Sequence, residues 1–413
     1  DWRVFYAIRN TFYYSDSEPE SLETALRETR DDINLTTDFR YWDGMGSGNN
    51  GETVLTYLLN MIDYDTEHLE LYLLSDENRT ESITKQLITA KANVNMSNSA
   101  GFTPIHLAYS MRHKVRKLGN ITSDGRFMRH MVNESLNVMK LLIDAKANVD
   151  KRGDLEDLID DDENIILFHA ASESDVEVVK LLVQEGGANV NNTNYWKHTP
   201  LYNVFNTRNI NSNRVDTVLT LLEAKADVTN NSYIEKEVRN LDYHDYINPT
   251  IIESLIVHKA DINLNNPLEI LLEYQTFDKY IFYGSRQLSE GTKKNMQKAI
   301  NILLDNNADI SGDDLYNAAV TCTNTEVIKK MINMKANVNS AQSKNTPLMS
   351  AAKNNCVDNV KVLLEAKADP NYRNSDNKTA EQLTTNKEIK TMIQKRRREI
   401  RSFKRNRNTV YNV

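Results

Sequence analysis

Apolar positions recur along this 413-residue chain in a fixed relation to a short polar phrase. The stretches VMKLLIDAKANV (138–149), VVKLLVQEGGANV (178–190), VLTLLEAKADV (218–228), AINILLDNNADI (299–310) and VKVLLEAKADP (360–370) place apolar residues at i, i+3, i+4 and i+7. That is the stripe a helix with one buried face requires. Shorter segments precede some of them: GFTPIHLAYS from 101, HTPLYNVFN from 198 and NTPLMSAAK from 345. In these, Thr can cap the orphan N–H groups of a helix start, and Pro at the first helical position loses no hydrogen bond. Each unit is therefore predicted as a finger, a short helix, a turn and a longer helix. Aligning the Ala-Asn/Asp-Val cores gives anchors at Val94, Val149, Val190, Val228, Ile262, Ile310, Val338 and Pro370.

With TPIH at 103–106, TPLY at 199–202, TPLM at 346–349 and the recurrent LLxxxAD/N-V-N ends, the chain resembles ankyrin-repeat proteins. The resemblance implies an all-α solenoid of helix–turn–helix units with finger loops. Residues 1–50 are expected to hold a divergent first unit (ESLETALRETRDDINL) and a Gly-rich loop, and 51–376 about eight repeats. A capping unit is expected over 377–398 and a basic tail over 399–413. The units around 231–265 and 266–311 lack Thr-Pro, which leaves their helix boundaries open. Spacings longer than the family's usual period place insertions, expected as loops, near 113–130, 152–164 and 273–297. The first is basic and is expected to lengthen a turn between helices. The second carries seven acids in residues 154–163, and the third is rich in aromatics.

A lysine stands just after the helix in six copies: Lys91, Lys146, Lys225, Lys259, Lys335 and Lys367. The family usually has glycine there, because the chain leaves the helix left-handed. A non-glycine residue in that conformation costs about 1 kcal/mol, and a cation at a helix C-terminus recovers about 0.3–1 kcal/mol. The row is thus expected to mark the period of the scaffold, with a basic binding ladder as the rival reading.

Ankyrin arrays bind through finger tips and the exposed face of the short helices. Carried over residue by residue, that implies partner-binding positions at Phe102, Met111, Ser172, Glu173, Tyr195, Trp196, His198, Lys353 and Arg373. NYWKHTP (194–200) is the most informative run, because exposed large rings desolvate well at modest entropic cost. The alternative is that Trp196 folds back on its own repeat. His106 falls at the His of TPIH, a structural hydrogen-bonding position in the family.

Composition adds exclusions. No GxGxxG or GxxxxGK[ST] occurs, the histidines share no metal-type spacing, and the acidic run lacks an EF-hand pattern, so no cofactor or metal is expected. No apolar run is long enough to cross a membrane. Two cysteines, Cys322 and Cys356, give no disulfide framework. They are expected as structural thiols in a reducing, cytoplasmic setting. The net charge of −8 hides a tail (390–413) with nine cations and one acid, which leaves −16 for the rest. An acidic body disfavours nucleic acid, although the tail, with Lys395–Arg398 and Lys404–Arg407, could take it or act in nuclear import.

The expected function is a non-enzymatic scaffold, a monomer, that binds a partner protein. Degenerate repeats and Asn- and Lys-rich composition also resemble ankyrin effectors that intracellular bacterial pathogens deliver into host cells, which would make the partner a host protein. The rival from another class is a Cys-dependent hydrolase or transferase built in the insertions.

Overall fold

The computed structural model describes residues 3–5, 7–8, 22–28, 33–34, 52–64, 79–118, 125–152, 165–194, 196–207, 210–229, 231–276, 288–341 and 344–410. The described residues are helical, without strands, and divide into two compact units, residues 1–226 and 227–413. Unit 1 holds α1 (Leu22–Glu28) and the pairs α2 (Val54–Tyr64) with α3 (Arg79–Thr89), α4 (Pro104–Leu118) with α5 (Gly125–Asp144), α6 (Ile166–Ser172) with α7 (Val176–Lys180), and α8 (Pro200–Asn206) with α9 (Arg214–Glu223). Unit 2 holds α10 (Tyr233–His244) with α11 (Pro249–Val257), α12 (Pro267–Thr276) with α13 (Glu290–Asp305), and α14 (Asp314–Val320) with α15 (Thr325–Asn333). It ends with α16 (Pro347–Lys353) and α17 (Val357–Glu365), then α18 (Ala380–Leu383) and α19 (Lys387–Val410).

Within each unit, first helices pack on first helices and second on second, for example α6 on α8, α7 on α9, α14 on α16 and α15 on α17. The striped positions fill the layer between them: Val138, Leu142, Val178, Leu182, Val218 and Leu222 in unit 1, and Ile300, Leu303, Val360 and Leu363 in unit 2, are all fully buried. This is the solenoid logic, in which a unit that cannot bury its apolar face alone buries it against the next.

All six lysines of the row are left-handed, with φ from 66° to 69°. Asn307 (φ 61°) and Gly187 (φ 68°) take the same place in two further copies. A Cβ added at Gly187 would meet nothing within 4 Å, so a side chain has room there and the left-handed backbone is what it costs. Two polar residues of each unit, the middle one of the core and the one just after it, explain the rest of the phrase. The first closes a local turn: Asn93, Asn148, Asn189, Asp227, Asp261, Asn337 and Asp369 each accept the N–H two residues on. The second bridges to the following repeat. Asn95 Oδ1 accepts from Asn148 N–H (2.6 Å) while its amide donates to the Lys146 carbonyl (3.0 Å). Asp150, Asn263 and Asn339 accept from Asn189, Asp309 and Asp369 in the same way. Asn34 opens this ladder, binding Asn93 N–H and the Lys91 carbonyl. The left-handed lysine thus serves through its backbone, turning a carbonyl toward the preceding repeat.

One copy carries an extra residue, QEGGANV where others have DAKANV. The helix absorbs it as a π turn over Leu181–Glu185. Single-residue insertions in helices commonly produce such a turn.

Three expectations are corrected. The 113–130 insertion is not a loop. Helix α4 runs on to Leu118 and α5 starts at Gly125, so only 119–124 lie outside the described residues. Likewise the 273–297 insertion is helical at both ends, through Thr276 and from Glu290. Finally, Cys322 and Cys356 are bonded to each other, linking the helix–helix turns of neighbouring pairs α14/α15 and α16/α17. They are not free thiols and carry no sign of a reducing compartment. The acidic run (153–164), the aromatic stretch 277–287 and the Gly-rich loop lie outside the described residues.

Candidate functional site

Three fingers share one construction. Asn98, Asn194 and Asn374 each accept, through the side chain, the N–H four residues on: that of Phe102 (2.9 Å), His198 (2.8 Å) and Lys378 (2.9 Å). Their own N–H groups donate to the carbonyls of the same residues. A left-handed residue one place before the end, Gly101, Lys197 or Asn377, makes the reversal possible. The geometry pins the closing residue against the coming helix and turns the residue two places before it outward.

In the second of these fingers the outward residue is Trp196, which is 45% exposed. Its ring stacks on His198 (centroids 6.4 Å apart, 29° between planes), and His198 stacks on Tyr202 in the first turn of α8 (3.8 Å, 15°). Thr199 caps that helix, accepting the Tyr202 N–H (3.2 Å), so the ladder stands on a fixed helix start. His198 and Tyr202 are half-buried. Three aligned rings, the outermost 45% exposed, offer apolar area with polar edges, the composition of an interface hot spot.

The first finger has the same two positions and the opposite outcome. Phe102 and His106 meet edge to face (6.3 Å, 63°), and His106 Nδ1 sits 2.6 Å from Thr103 Oγ1 as the family implies. Phe102 is only 8% exposed and Met111 2%. Both belong to the core, which corrects their assignment to a binding face. A wholly apolar ring at the closing position gains by turning inward. His198, with a polar ring, stays half-buried.

The remaining sequence-derived positions fall into separate places. Ser172 and Glu173 close α6, which packs on α8, and both are half-exposed. Ser172 Oγ donates to the His169 carbonyl, and Asn211 donates to that of Glu173 (3.0 Å), bracing this edge. Tyr195 lies outside the described residues. Lys353 and Arg373 are exposed in unit 2, where Arg373 donates to the Asn377 carbonyl (2.7 Å) and braces its own finger.

Sequence reading missed the polar joint between α4 and the start of α7. Arg112 is 1% exposed and donates to both oxygens of Asp175 (2.7 and 3.0 Å), to the Val132 carbonyl (2.7 Å) and to Glu177. Arg116 also pairs with Asp175. Burial alone would raise the Asp175 carboxyl, but the bonds and charge of Arg112, then Arg116, hold it below the usual range. Beside this joint, His113 stacks on buried Tyr109 (6.2 Å). Burial, then the nearby His113, pushes His169 down to about 4. Burial, then Lys117, also lowers His113, so both imidazoles are neutral at pH 7. A signal existed: an arginine inside the apolar α4 stripe, with acids at the start of α7.

Among the described residues no group of His, Cys, Asp and Glu has the arrangement of a metal site, and no helix is long and apolar enough to cross a membrane. With both sulfurs in the disulfide, neither is available as the nucleophile of a Cys-dependent hydrolase.

Residues 127–232 and 286–374 match the family model described as ankyrin repeats. No curated protein matches the chain. Among solved structures, the human ASB11 ankyrin repeat domain is similar at 20% identity and a TM-score of 0.38, over 56% of this chain and 96% of that one. The ankyrin repeat domain of Bcl-3, a member of the IκB protein family, is similar at 15% identity and a TM-score of 0.27, over 79% and 97%.

Proposed function

We propose that this chain, which matches the ankyrin-repeat model over 127–232 and 286–374, recognises a partner protein through the ring ladder of unit 1, with Trp196 as the anchor and the α6 edge at Ser172–Glu173 contributing. Ankyrin repeats are in general protein–protein interaction modules. The observation that carries it is the exposed Trp196 ring aligned on His198 and Tyr202 above a capped helix start. A ring held in place before binding loses little entropy on contact, and truncating such an anchor typically costs 2 kcal/mol or more, about 30-fold in affinity.

The test is photocrosslinking. A photoreactive phenylalanine analogue replaces Tyr202 in one sample and Lys180, an exposed residue of second helix α7, in another. The expected result is a discrete protein adduct from position 202, competed by excess wild-type chain but not by Trp196→Ala. Adducts of equal yield at both positions, or equal competition by both chains, would remove the ring ladder as the binding surface.

A further inference from the structure

The longest described helix is α19, which runs from Lys387 to Val410. Its first turns belong to the array: Ile389 and Ile393 are fully buried, and the helix packs on α17 and α18. Two arginines hold it there. Arg397 donates to the Pro370 carbonyl (2.7 and 3.1 Å) and pairs with Glu381, and Arg396 pairs with Glu399 (3.0 Å). Gln394 adds a bond to Glu381 (2.7 Å). The neighbouring cations share none of this work. Lys395, Arg398 and Arg401 are exposed, and among the described residues no carboxylate pairs with them, although the chain outside 390–413 carries a net charge of −16. With about 3.6 residues per turn, Gln394, Lys395, Arg398, Arg401 and Ser402 share the side of the helix away from Ile389 and Ile393. All five are exposed and none is apolar. The helical backbone continues through Lys404, Arg405 and Arg407, so the run of cations stays on one rod.

We infer that the exposed face of α19 binds the phosphate backbone of a nucleic-acid duplex. Cations at 395, 398 and 401 stand about 4.5 Å apart along the helix axis. That line of charge calls for a dense and regular polyanion, and a duplex carries one charge per about 1.7 Å. Six of the nine cations of 390–413 are arginine, whose planar fork matches phosphate oxygens. An anionic bilayer is the poorer fit, because an interfacial helix beds an apolar face in lipid and α19 buries Ile389 and Ile393 within the array. Single strands are held largely by stacking on rings, and the exposed face of five residues has none. The acidic remainder of the chain repels nucleic acid, which confines the contact to α19 and makes it sensitive to salt. This site is independent of the ring ladder, and either can fail without the other.

The experiment uses the full chain and a fluorescent duplex of about 20 base pairs, DNA in one arm and RNA in the other. Binding is read by anisotropy between about 50 and 200 mM salt. Wild type is expected to bind at least one of the two duplexes, and the arms say which. The triple variant Lys395→Gln/Arg398→Gln/Arg401→Gln keeps the anchoring Arg396 and Arg397. It is expected to bind at least tenfold more weakly at low salt and to lose about 2–3 from the slope of log affinity against log salt. A control that neutralises three other exposed cations of unit 2, Lys361→Gln, Lys367→Gln and Lys378→Gln, is expected to change affinity less than twofold. Trp196→Ala is expected to have no effect. Should the triple variant lose its melting transition, Arg401→Gln alone, at an exposed position, is expected to weaken binding about threefold. Equal losses in triple variant and control would mean diffuse charge attraction and overturn the proposal. Failure to bind either duplex, or unchanged binding in the triple variant, would overturn it as well. So would tighter binding to polyglutamate, or to vesicles with one fifth phosphatidylserine, than to both duplexes.

Discussion

Units 1 and 2 are built from the same repeat, yet they hold neighbouring repeats together by different means. In unit 1 the joint between α4 and α7 is a buried ion network, with Arg112 threaded to Asp175, Glu177 and a backbone carbonyl. In unit 2 the corresponding service between α14/α15 and α16/α17 falls to the Cys322–Cys356 bond and to Asn359. That asparagine donates to the Thr321 carbonyl (3.0 Å) and accepts from Thr325 (2.8 Å). The first helices differ too. Where Thr-Pro survives, as at Thr199–Pro200, the start is rigid and can display rings. Where it is lost, as at Asp313–Asp314, acids occupy the start and one is left buried and half-satisfied. The repeat period thus tolerates wide chemical change at the helix start, provided the ladder of Asn and Asp after each core persists.

The largest effect expected from breaking this contrast is at Arg112. Arg112→Met leaves Asp175 buried with Arg116 as its remaining cation, and breaking a buried pair costs about 3–5 kcal/mol. Urea denaturation at pH 7 should show a loss of that order. The sign with pH follows from the depressed Asp175 carboxyl. Its contribution is present above the usual aspartate value and is lost as pH falls through the folded one, so the gap between wild type and variant should narrow below about pH 4. Next comes the disulfide of unit 2. Its partners are separated by 34 residues, a loop for which chain entropy gives about 3–4 kcal/mol. Cys322→Ser/Cys356→Ser should lose up to that amount, and dithiothreitol should destabilise wild type but not the variant.

A smaller effect of opposite sign is expected at Asp314. Asp314→Asn removes a buried charge and should stabilise the chain by about 1–3 kcal/mol at pH 7. Because the folded carboxyl titrates near 6, above its unfolded value, the wild-type penalty grows as pH rises through 4 to 6. The gain should therefore shrink on titrating to pH 4. The smallest effect is at the lysine row. Lys367→Gly relaxes a left-handed side-chain-bearing residue and gives up a helix-end cation, for a net change between zero and about 1 kcal/mol of stabilisation.

How legible all this was depends on whether the chemistry repeats. The left-handed lysines could be read because six copies reported the same backbone need. The Arg112 joint left only a single mark, an arginine inside an apolar stripe, and the Cys322–Cys356 bond left none; each occurs once and joins residues whose proximity depends on the stacking register. Phe102 and His198 show the limit most clearly. They close fingers of the same hydrogen-bonded construction at the same position, yet Phe102 is buried and His198 only half-buried, in keeping with the polarity of the two rings. The 113–130 insertion was misjudged for a related reason: its added residues extend two existing helices, and period arithmetic counts residues without saying where they go. The division at residue 226 left no mark in the spacing, because the repeats on either side of it keep the same phrase.

The central claim is that the recurring lysines are scaffold and that the ring ladder of unit 1 reads the partner. Its most direct test is the affinity for the protein crosslinked at position 202, measured by calorimetry for two double variants. Trp196→Ala/Tyr202→Ala should bind at least 30-fold more weakly while keeping a cooperative melting transition well above the assay temperature, and Lys146→Gly/Lys225→Gly within twofold of wild type. Loss of binding in the lysine variant, with binding retained by the ring variant, would contradict the account.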